Sequence, residues 1–414
     1  MAARSILFVN RVYPPDAGAT GRLLADVACH MADQGWQVTV VAEGEGDATP
    51  MPGLTVRRTG GRVSGASARA YLGSLGRLAR LALAQPRHDL VVTMTDPPLL
   101  HLAGPALRAR HRAALVHWCQ DLYPDLFPRV GLALPKAAAL ALAGLSTAAL
   151  ARCDRLVPIG DCMADRLAAR GLDPRRIHPI PNWPQAGLLA AKPDRGALEE
   201  IVPAARGRLV LLYAGTIGLV HPTAPLLHAA RRLQAAGAPV QIVVMGAGRR
   251  RQALDQDAAS LRNLSLLPYL DDGRAAMVSA TADLHLALME PATVGMLVPC
   301  KVPAALGAGR PVLFCGPPDG TAARQVAASG AGRVVPPDGE ALAAAVQACL
   351  EHPGMLEAWT EAAARERAAF RDRPGPAAFA GLASELLEGR VARPRLIRRL
   401  SLPVTTPLGP GRVG

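Results

Sequence analysis

Aromatic side chains are scarce, at 3% of 414 residues. A chain this poor in rings cannot build the stacked platforms on which single-stranded nucleic acids lie. Cysteine pairing is missing as well. The seven cysteines (Cys29, Cys119, Cys153, Cys162, Cys300, Cys315 and Cys349) are scattered, odd in number and without a C-x-x-C pair. That pattern excludes a disulfide framework and a structural zinc site, and it fits a reducing cytoplasm. No cleavage-site pattern follows the apolar stretch Ile6–Val9, so no export signal is expected. The uncharged stretch Leu209–Ala230 is broken by Gly215, Gly218, Pro222 and Pro225, and Ala137–Ala151 is shorter than the ~20 residues of a spanning helix. The latter reads as a buried or surface-lying helix. Lysine is nearly absent, with only Lys136, Lys192 and Lys301, so the net charge of +13 is almost wholly arginine.

What is present is a large supply of core: half the residues are hydrophobic and 19% charged, over a length that predicts two domains. Short apolar runs alternate with helical patterns. Ile6–Asn10 precedes Thr20–Gln34 and Gln37–Ala42; Asp89–Thr95 precedes Leu99–Arg110; Ala113–Trp118 precedes Ala137–Arg152; Arg155–Ile159 precedes Cys162–Arg170. The alternation restarts at Leu209–Tyr213, with strand-like Val240–Met245, Leu264–Leu267, Leu284–Met289, Pro311–Cys315 and Arg333–Pro336. Strand-length runs alternating with helices predict β-α units on parallel sheets. The expected architecture is α/β, two doubly wound domains facing across a cleft. The boundaries read as an N-terminal domain over 1–185, a linker at 186–205, a second domain at 206–375, a helix at 376–389 and a basic tail at 390–414 expected to lack fixed structure.

Three segments carry chemistry. The first strand leads into Tyr13–Arg22, whose small residues at a strand-to-helix turn allow backbone N–H groups to approach an anion. The same stretch reads equally as a plain turn with Thr20 as helix cap. Similar turns, Tyr213–Gly218 and Met245–Gly248, follow two strands of the second half, the latter trailed by Arg249–Arg251. Those arginines suit either a phosphorylated ligand or a solvated helix start. The third segment, Glu290–Pro311, brings Pro299-Cys300-Lys301 to the beginning of a helix, placing a cation where a diphosphate would sit. Lys301 stands out because arginine otherwise replaces lysine.

On these residues, together with Asp96-Pro97-Pro98, His117–Pro124, Ile159–Met163, Ile180–Trp183 and Ala308–Phe314, the chain resembles the retaining GT-B glycosyltransferases of family 4 that build bacterial surface polysaccharides. The likeness runs from about Ile6 to Leu387. It implies a nucleotide-diphosphate sugar held mainly by the second domain, through Gly18, Gly215, Thr216, Gly218, His221, Gly246, Gly248, Arg249, Glu290, Pro299, Cys300 and Lys301. It implies a lipid-linked saccharide acceptor on the first domain beside Thr20, Arg22 and Asp96, with Asp121, Gln120 and His117 at the reacting centre. It also implies metal-independent, anomer-retaining transfer at the cytoplasmic face of the inner membrane, with no cofactor beyond the donor substrate and no nucleic-acid partner.

The chain departs from that family at several points. Members commonly carry an arginine and a lysine where this chain has Thr216 and His221, and a ribose-binding glutamate where it has Ala304. Cys300 stands where relatives have serine. These losses support an alternative, a non-catalytic nucleotide-sugar-binding or complex-organising protein of the same fold. Two residues keep two readings each: His117 as base or sugar ligand against a hydrogen-bonded strand residue, and Asp96 as acceptor contact against the cap of a proline turn. Between Asp47 and Asp89 there is no acid but there are seven arginines (Arg57, Arg58, Arg62, Arg69, Arg77, Arg80, Arg87). The helix there, with leucines at 72, 75, 78 and 81, reads either as a membrane-surface helix or as one packed on the sheet.

Overall fold

The computed structural model describes residues 3–16, 18–62, 68–218, 220–372 and 375–391. Most of the tail expected at 390–414, from residue 392 on, lies outside the described residues. The first sheet has seven strands: β1 (Ser5–Val9), β2 (Gln37–Ala42), β3 (Ala48–Met51), β4 (Leu54–Arg58), β5 (Leu90–Thr93), β6 (Ala114–Cys119) and β7 (Arg155–Pro158), in the order β3-β4-β2-β1-β5-β6-β7. All its pairings are parallel except β3 with β4. Helices α1 (Ala19–Asp33), α2 (Ala68–Ala84), α3 (Gly104–His111), α4 (Lys136–Leu150) and α5 (Asp161–Ala169) accompany it. The hairpin β3-β4 carries no alternation in Ala48–Met51 and a proline at position 50, so no strand signal marked it in the sequence. Helix α1 starts at Ala19 with Gly18 in the cap position, so Thr20 is not the cap; its hydroxyl instead faces the Asn10 amide at 3.4 Å.

Between the domains lie α6 (Ala186–Ala190) and α7 (Arg195–Ile201). The stretch expected as a linker is therefore not a bare connection. Leu198, Val202 and Ala205, spaced along one helical face, are buried in a cluster with Val210, Leu212 and Val243 of the second domain. That domain's sheet contains β8 (Leu209–Ala214), β9 (Val240–Met245), β10 (Leu264–Leu267), β11 (Leu284–Leu288), β12 (Val312–Cys315) and β13 (Gly332–Val335), all parallel, in the order β10-β9-β8-β11-β12-β13. Its helices are α8 (Ala224–Ala235), α9 (Arg251–Ala258), α10 (Asp272–Thr281), α11 (Lys301–Gly307), α12 (Thr321–Ser329), α13 (Gly339–Glu351) and α14 (Pro353–Asp372). The strand order reverses between β1 and β5 in one sheet and between β8 and β11 in the other, and ligands of such sheets bind at these reversals, outside the strands' carboxyl ends.

The last helix, α15 (Gly375–Val391), returns to the first domain and packs against α1. Phe379 carries that return. It is 1% exposed, with ring centroids 4.9 Å from Trp118 and 6.0 Å from Phe8.

The helix with leucines at 72, 75, 78 and 81 is α2, and of its two readings it follows the one packed on the sheet. Leu78 and Ala82 are fully buried, and of its leucines Leu72 points outward, at 65% exposure. Four of the seven arginines around it pair with acids from outside the acid-free interval. Arg57 pairs with Asp47, Arg58 and Arg62 with Asp16, and Arg77 with Glu43.

Phe379→Ala should destabilise the protein by about 3–5 kcal/mol, the usual cost of emptying a buried aromatic site. The check is the urea midpoint followed by tryptophan emission, since Trp118 abuts the ring.

Candidate functional site

The two domains are joined where the carboxyl ends of their sheets meet. After β6, Asp121 forms an isolated antiparallel bridge with Leu297, and the Leu122 N–H donates to the Met296 carbonyl at 2.7 Å. Leu126 then inserts into the second domain's core with Met296, Leu297 and Val302. Lys301 follows Leu297 by four residues, so the chain holds it within about 14 Å of the bridge. A second contact joins the starts of α5 and α12. The Thr321 hydroxyl accepts from the Cys162 N–H at 3.2 Å, and a side chain at Gly160 would meet that hydroxyl at 2.6 Å. On the far side, Arg22 reaches Asp272 at 3.0 Å and Gln185 at 3.2 Å.

Lys301 opens α11 and is buried at 9% exposure. Its ammonium lies 4.7 Å from the centroid of the Tyr213 ring, and has no ion pair or hydrogen bond among the described residues. It approaches the backbone of Gly215 closely enough that a Cβ there would sit 3.6 Å from Nζ. The Tyr213 hydroxyl donates to the Thr216 carbonyl at 2.9 Å, so one ring both holds the turn after β8 and carries the cation. Burial pulls the Lys301 ammonium below its ordinary value. A desolvated cation at a sheet's reversal point, with an aromatic face on one side, is poised for an anion on the other.

The glycine turns around it have a structural duty. A Cβ on Gly246 would lie 2.1 Å from the Gly215 carbonyl, and one on Gly248 would lie 2.4 Å from that of Ile217, so only glycine lets these loops nest. Gly246 and Gly248 hold φ of 147° and 151°, which other residues rarely adopt. The Thr216 hydroxyl bonds the Tyr269 hydroxyl at 3.0 Å. The His221 ring lies edge-on to Tyr213, with Nδ1 buried and unpartnered. Burial, then the charges of Lys301 and Arg250, push it down to about 3, so at neutral pH it adds no positive charge. Of the three arginines, Arg251 is committed to Asp255 and to the carbonyls of Gly246 and Leu267, whereas Arg249 is exposed. Glu290, two residues beyond the end of β11, is half-buried, Pro299 is buried, and the Cys300 side chain is exposed and caps nothing.

In the first domain the expected residues separate into several groups. Asp96 forms a two-pronged ion pair with Arg11 at 2.7 and 3.1 Å, beside the reversal between β1 and β5. Gln120 is locked in a reciprocal amide pair with Asn182 at 2.9 and 3.2 Å. His117 is packed: Nδ1 meets the Thr93 carbonyl at 2.9 Å and its hydroxyl at 3.0 Å, the ring lies 5.1 Å from that of His101, and burial pushes it down to about 4. Arg22 ties the domains together, and Gly18 closes on Val12 at the start of α1. Asp121 is different. Among the described residues only its backbone is committed, to Leu297 and the Thr95 hydroxyl, and burial followed by the Asp96 charge raises its carboxyl to about 7. Tyr213, Asn182, Arg11 and Tyr269 are the site's supporting residues that pattern reading did not single out for these contacts. Only Tyr213 and Asn182 fell inside motifs noticed in the sequence.

Comparison with known proteins follows this geometry. The glycosyl transferase 4-like domain family matches residues 18–183. A probable glycosyltransferase, WbjE of Pseudomonas aeruginosa, is 27% identical over 231 residues, which is 55% of this chain and 57% of the relative. Among solved structures, Anabaena HepE in complex with UDP aligns over 93% of this chain and 100% of that one, with 16% identity and a TM-score of 0.67. Sucrose-phosphate synthase from Thermosynechococcus elongatus gives 0.74 at 16% identity, over 93% and 100%. WaaG, a glycosyltransferase involved in lipopolysaccharide biosynthesis, gives 0.63 at 17% identity, over 88% and 95%. The architecture is the GT-B fold.

Because its folded value lies above the ordinary ~3.9, Asp121 binds its proton more tightly in the folded chain than in the unfolded one. Stability is therefore lost as pH rises from about 4 to about 7. Asp121→Asn should be more resistant to urea than the wild type at pH 8, with the gap closing toward pH 4. Equal midpoints across that range would refute the assignment.

Proposed function

We propose that the chain, whose residues 18–183 match the glycosyl transferase 4-like domain family, moves a sugar from a nucleotide-diphosphate sugar to a lipid-linked saccharide acceptor, in the assembly of a cell-surface polysaccharide. The observation that carries this reading is Lys301, a buried ammonium at the β8–β11 reversal without a counter-anion among the described residues. A diphosphate supplies the missing charge. The binding of UDP and UDP-glucose by HepE, of the same fold, supports a nucleotide-sugar donor.

In the reaction the bond between the donor's anomeric carbon and its diphosphate oxygen breaks, and the acceptor oxygen takes its place. Lys301 stabilises the charge gathering on the leaving diphosphate, a fixed cation in a water-poor site that needs no reorganisation as the charge develops. Asp121, across the bridge from Leu297, faces the acceptor side. With its carboxyl at about 7 it is able to accept a hydrogen bond or a proton from the incoming hydroxyl near neutral pH. The paired Gln120 and Asn182 and the Arg11–Asp96 pair act as supports that fix this loop. Transfer on this reading keeps the anomeric configuration, uses Lys301 where other transferases use a metal cation, and takes place at the cytoplasmic face of the inner membrane.

A second reading draws on the same pocket. Thr216 is tied to Tyr269 and His221 is neutral, which leaves Lys301 with less help than a full complement of phosphate cations provides. A protein that binds a nucleotide sugar without turning it over would match that shortfall.

The test is a screen of nucleotide sugars by thermal stabilisation, because binding to the folded state raises the melting temperature directly. It is followed by measurement of nucleoside diphosphate released with a polyprenyl-diphosphate-linked saccharide. Stabilisation with release supports transfer, stabilisation without release supports the binding protein, and neither result removes both readings. Lys301→Ala should raise the donor KM by about 10- to 150-fold, the worth of one charge-assisted contact. An unchanged KM would remove the diphosphate from this place.

A further inference from the structure

Helix α4 is built inside out. Its sequence from Ala137 to Leu150 holds no charged residue, yet it lies on the surface. The residues facing solvent, Ala137, Leu140, Ala141, Gly144, Leu145 and Ala148, recur every three or four positions and are all apolar. Leu140 and Leu145 are 65% and 62% exposed, and Leu132, in the loop before the helix, is 38% exposed. The buried face, by contrast, carries polar Ser146, whose hydroxyl bonds His101 Nε2 at 2.8 Å. A groove of about 930 Å³ runs beside the stripe, lined by Phe127, Pro128, Leu132, Leu134, Ala139 and Ala143. An ordinary surface helix shows the opposite pattern, so this face is made to be covered.

Charge at its rim says by what. Arg129, Lys136 and Arg152 are exposed around the stripe and have no ion pair among the described residues. The acids beside it are already taken: Asp125 by Arg166 and Arg170, and Asp154 by Arg108. An apolar face ringed by uncompensated cations complements an anionic lipid surface, into which leucines enter at acyl depth while cations stay at the headgroups. Fifteen residues make a helix about 22 Å long, too short to cross the bilayer core, and no described helix is long and apolar enough to do so.

We propose that the outer face of α4 is the membrane-docking surface of this protein, lying in the plane of an anionic leaflet with Leu132, Leu140 and Leu145 inserted. This deepens the proposed function and rests on it only for the benefit gained. The loop from Asp121 leads through Pro124 and Phe127 directly to α4, so docking there sets the acceptor side of the site against the bilayer.

The experiment is co-sedimentation of the full chain with phosphatidylcholine vesicles with and without 30% phosphatidylglycerol (roughly the anionic fraction at which basic surfaces bind). It is run on the wild type and in a Lys301→Ala background, so loss of transfer and loss of docking are read separately. Wild type is expected to bind the anionic vesicles preferentially. Leu140→Gln with Leu145→Gln should weaken binding at least tenfold, about the worth of one inserted leucine. Arg129→Glu with Lys136→Glu should weaken it and reduce its salt dependence, while Leu72→Gln on α2 should leave it unchanged. Because all these side chains are exposed, melting temperatures should stay within a degree or two. Wild type that ignores the vesicles, or a leucine double variant that binds as the wild type does, overturns the proposal. So does a wild-type dimer by light scattering that the leucine variant dissolves while vesicle binding is absent, since the face then meets a second copy.

Discussion

The structure depends on a two-residue splice between domains: Asp121 bridged to Leu297, and the Leu122 N–H on the Met296 carbonyl at 2.7 Å. A backbone hydrogen bond alone is worth only about 1 kcal/mol. Leu126 makes the splice hold, because it buries itself in the second domain's core rather than its own. From the return side, α15 inserts Phe379 between Phe8 and Trp118 of the first domain. Each domain thus completes part of the other's packing. The carboxyl ends of both sheets, where small ligands of such folds bind, are held together as a consequence.

Within that frame, electrostatics separates supports from working groups. Nearly every charge near the reversals is spoken for: Asp96 by Arg11, Arg251 by Asp255 and two carbonyls, and Arg22 by Asp272. Lys301 and the Asp121 carboxyl have no such partner among the described residues and lie on opposite sides of the same splice. Burial lowers the one and raises the other, so both are held in the direction of neutrality until something charged arrives. The use of lysine in an arginine chain has a local reason. The compact ammonium sits over the Tyr213 ring and close against the Gly215 backbone, and a planar guanidinium would need a wider slot.

The alternation of apolar runs and helices made the sheets legible, since β1, β2, β6, β8 and β9 occupy the expected stretches to within a residue or so. The hairpin β3-β4 was not, because a short edge strand carrying Pro50 and its short neighbour leave no periodic signal. The linker was hidden for another reason. Its helices are short, and Leu198, Val202 and Ala205 show which core they join. At the site, pattern reading found the segments but not the assignments within them. Gly246 and Gly248 mark a turn whether it cradles phosphate or nests against Gly215 and Ile217, and only coordinates show the second. The Gln120–Asn182 and Arg11–Asp96 pairs join residues 62 and 85 positions apart, a distance at which one sequence carries no pairing information.

Charge shows the same limit most sharply. Along the chain, residues 48–88 contain arginine and no acid, which gives a strongly basic segment by composition. In space, Asp16, Glu43 and Asp47 fold back onto it and hold Arg57, Arg58, Arg62 and Arg77. The uncharged run at 137–150 behaves in the opposite way: neutral in sequence, it is flanked by exposed Arg129, Lys136 and Arg152, which have no ion pair among the described residues, while neighbouring acids turn inward to other arginines. Surface potential is set by which charges the fold leaves unpaired, not by how many the segment contains. The net charge of +13 is therefore a property of the whole chain, and its local expression is set by which arginines the fold leaves exposed and without an acid, beside helix α4 among other places.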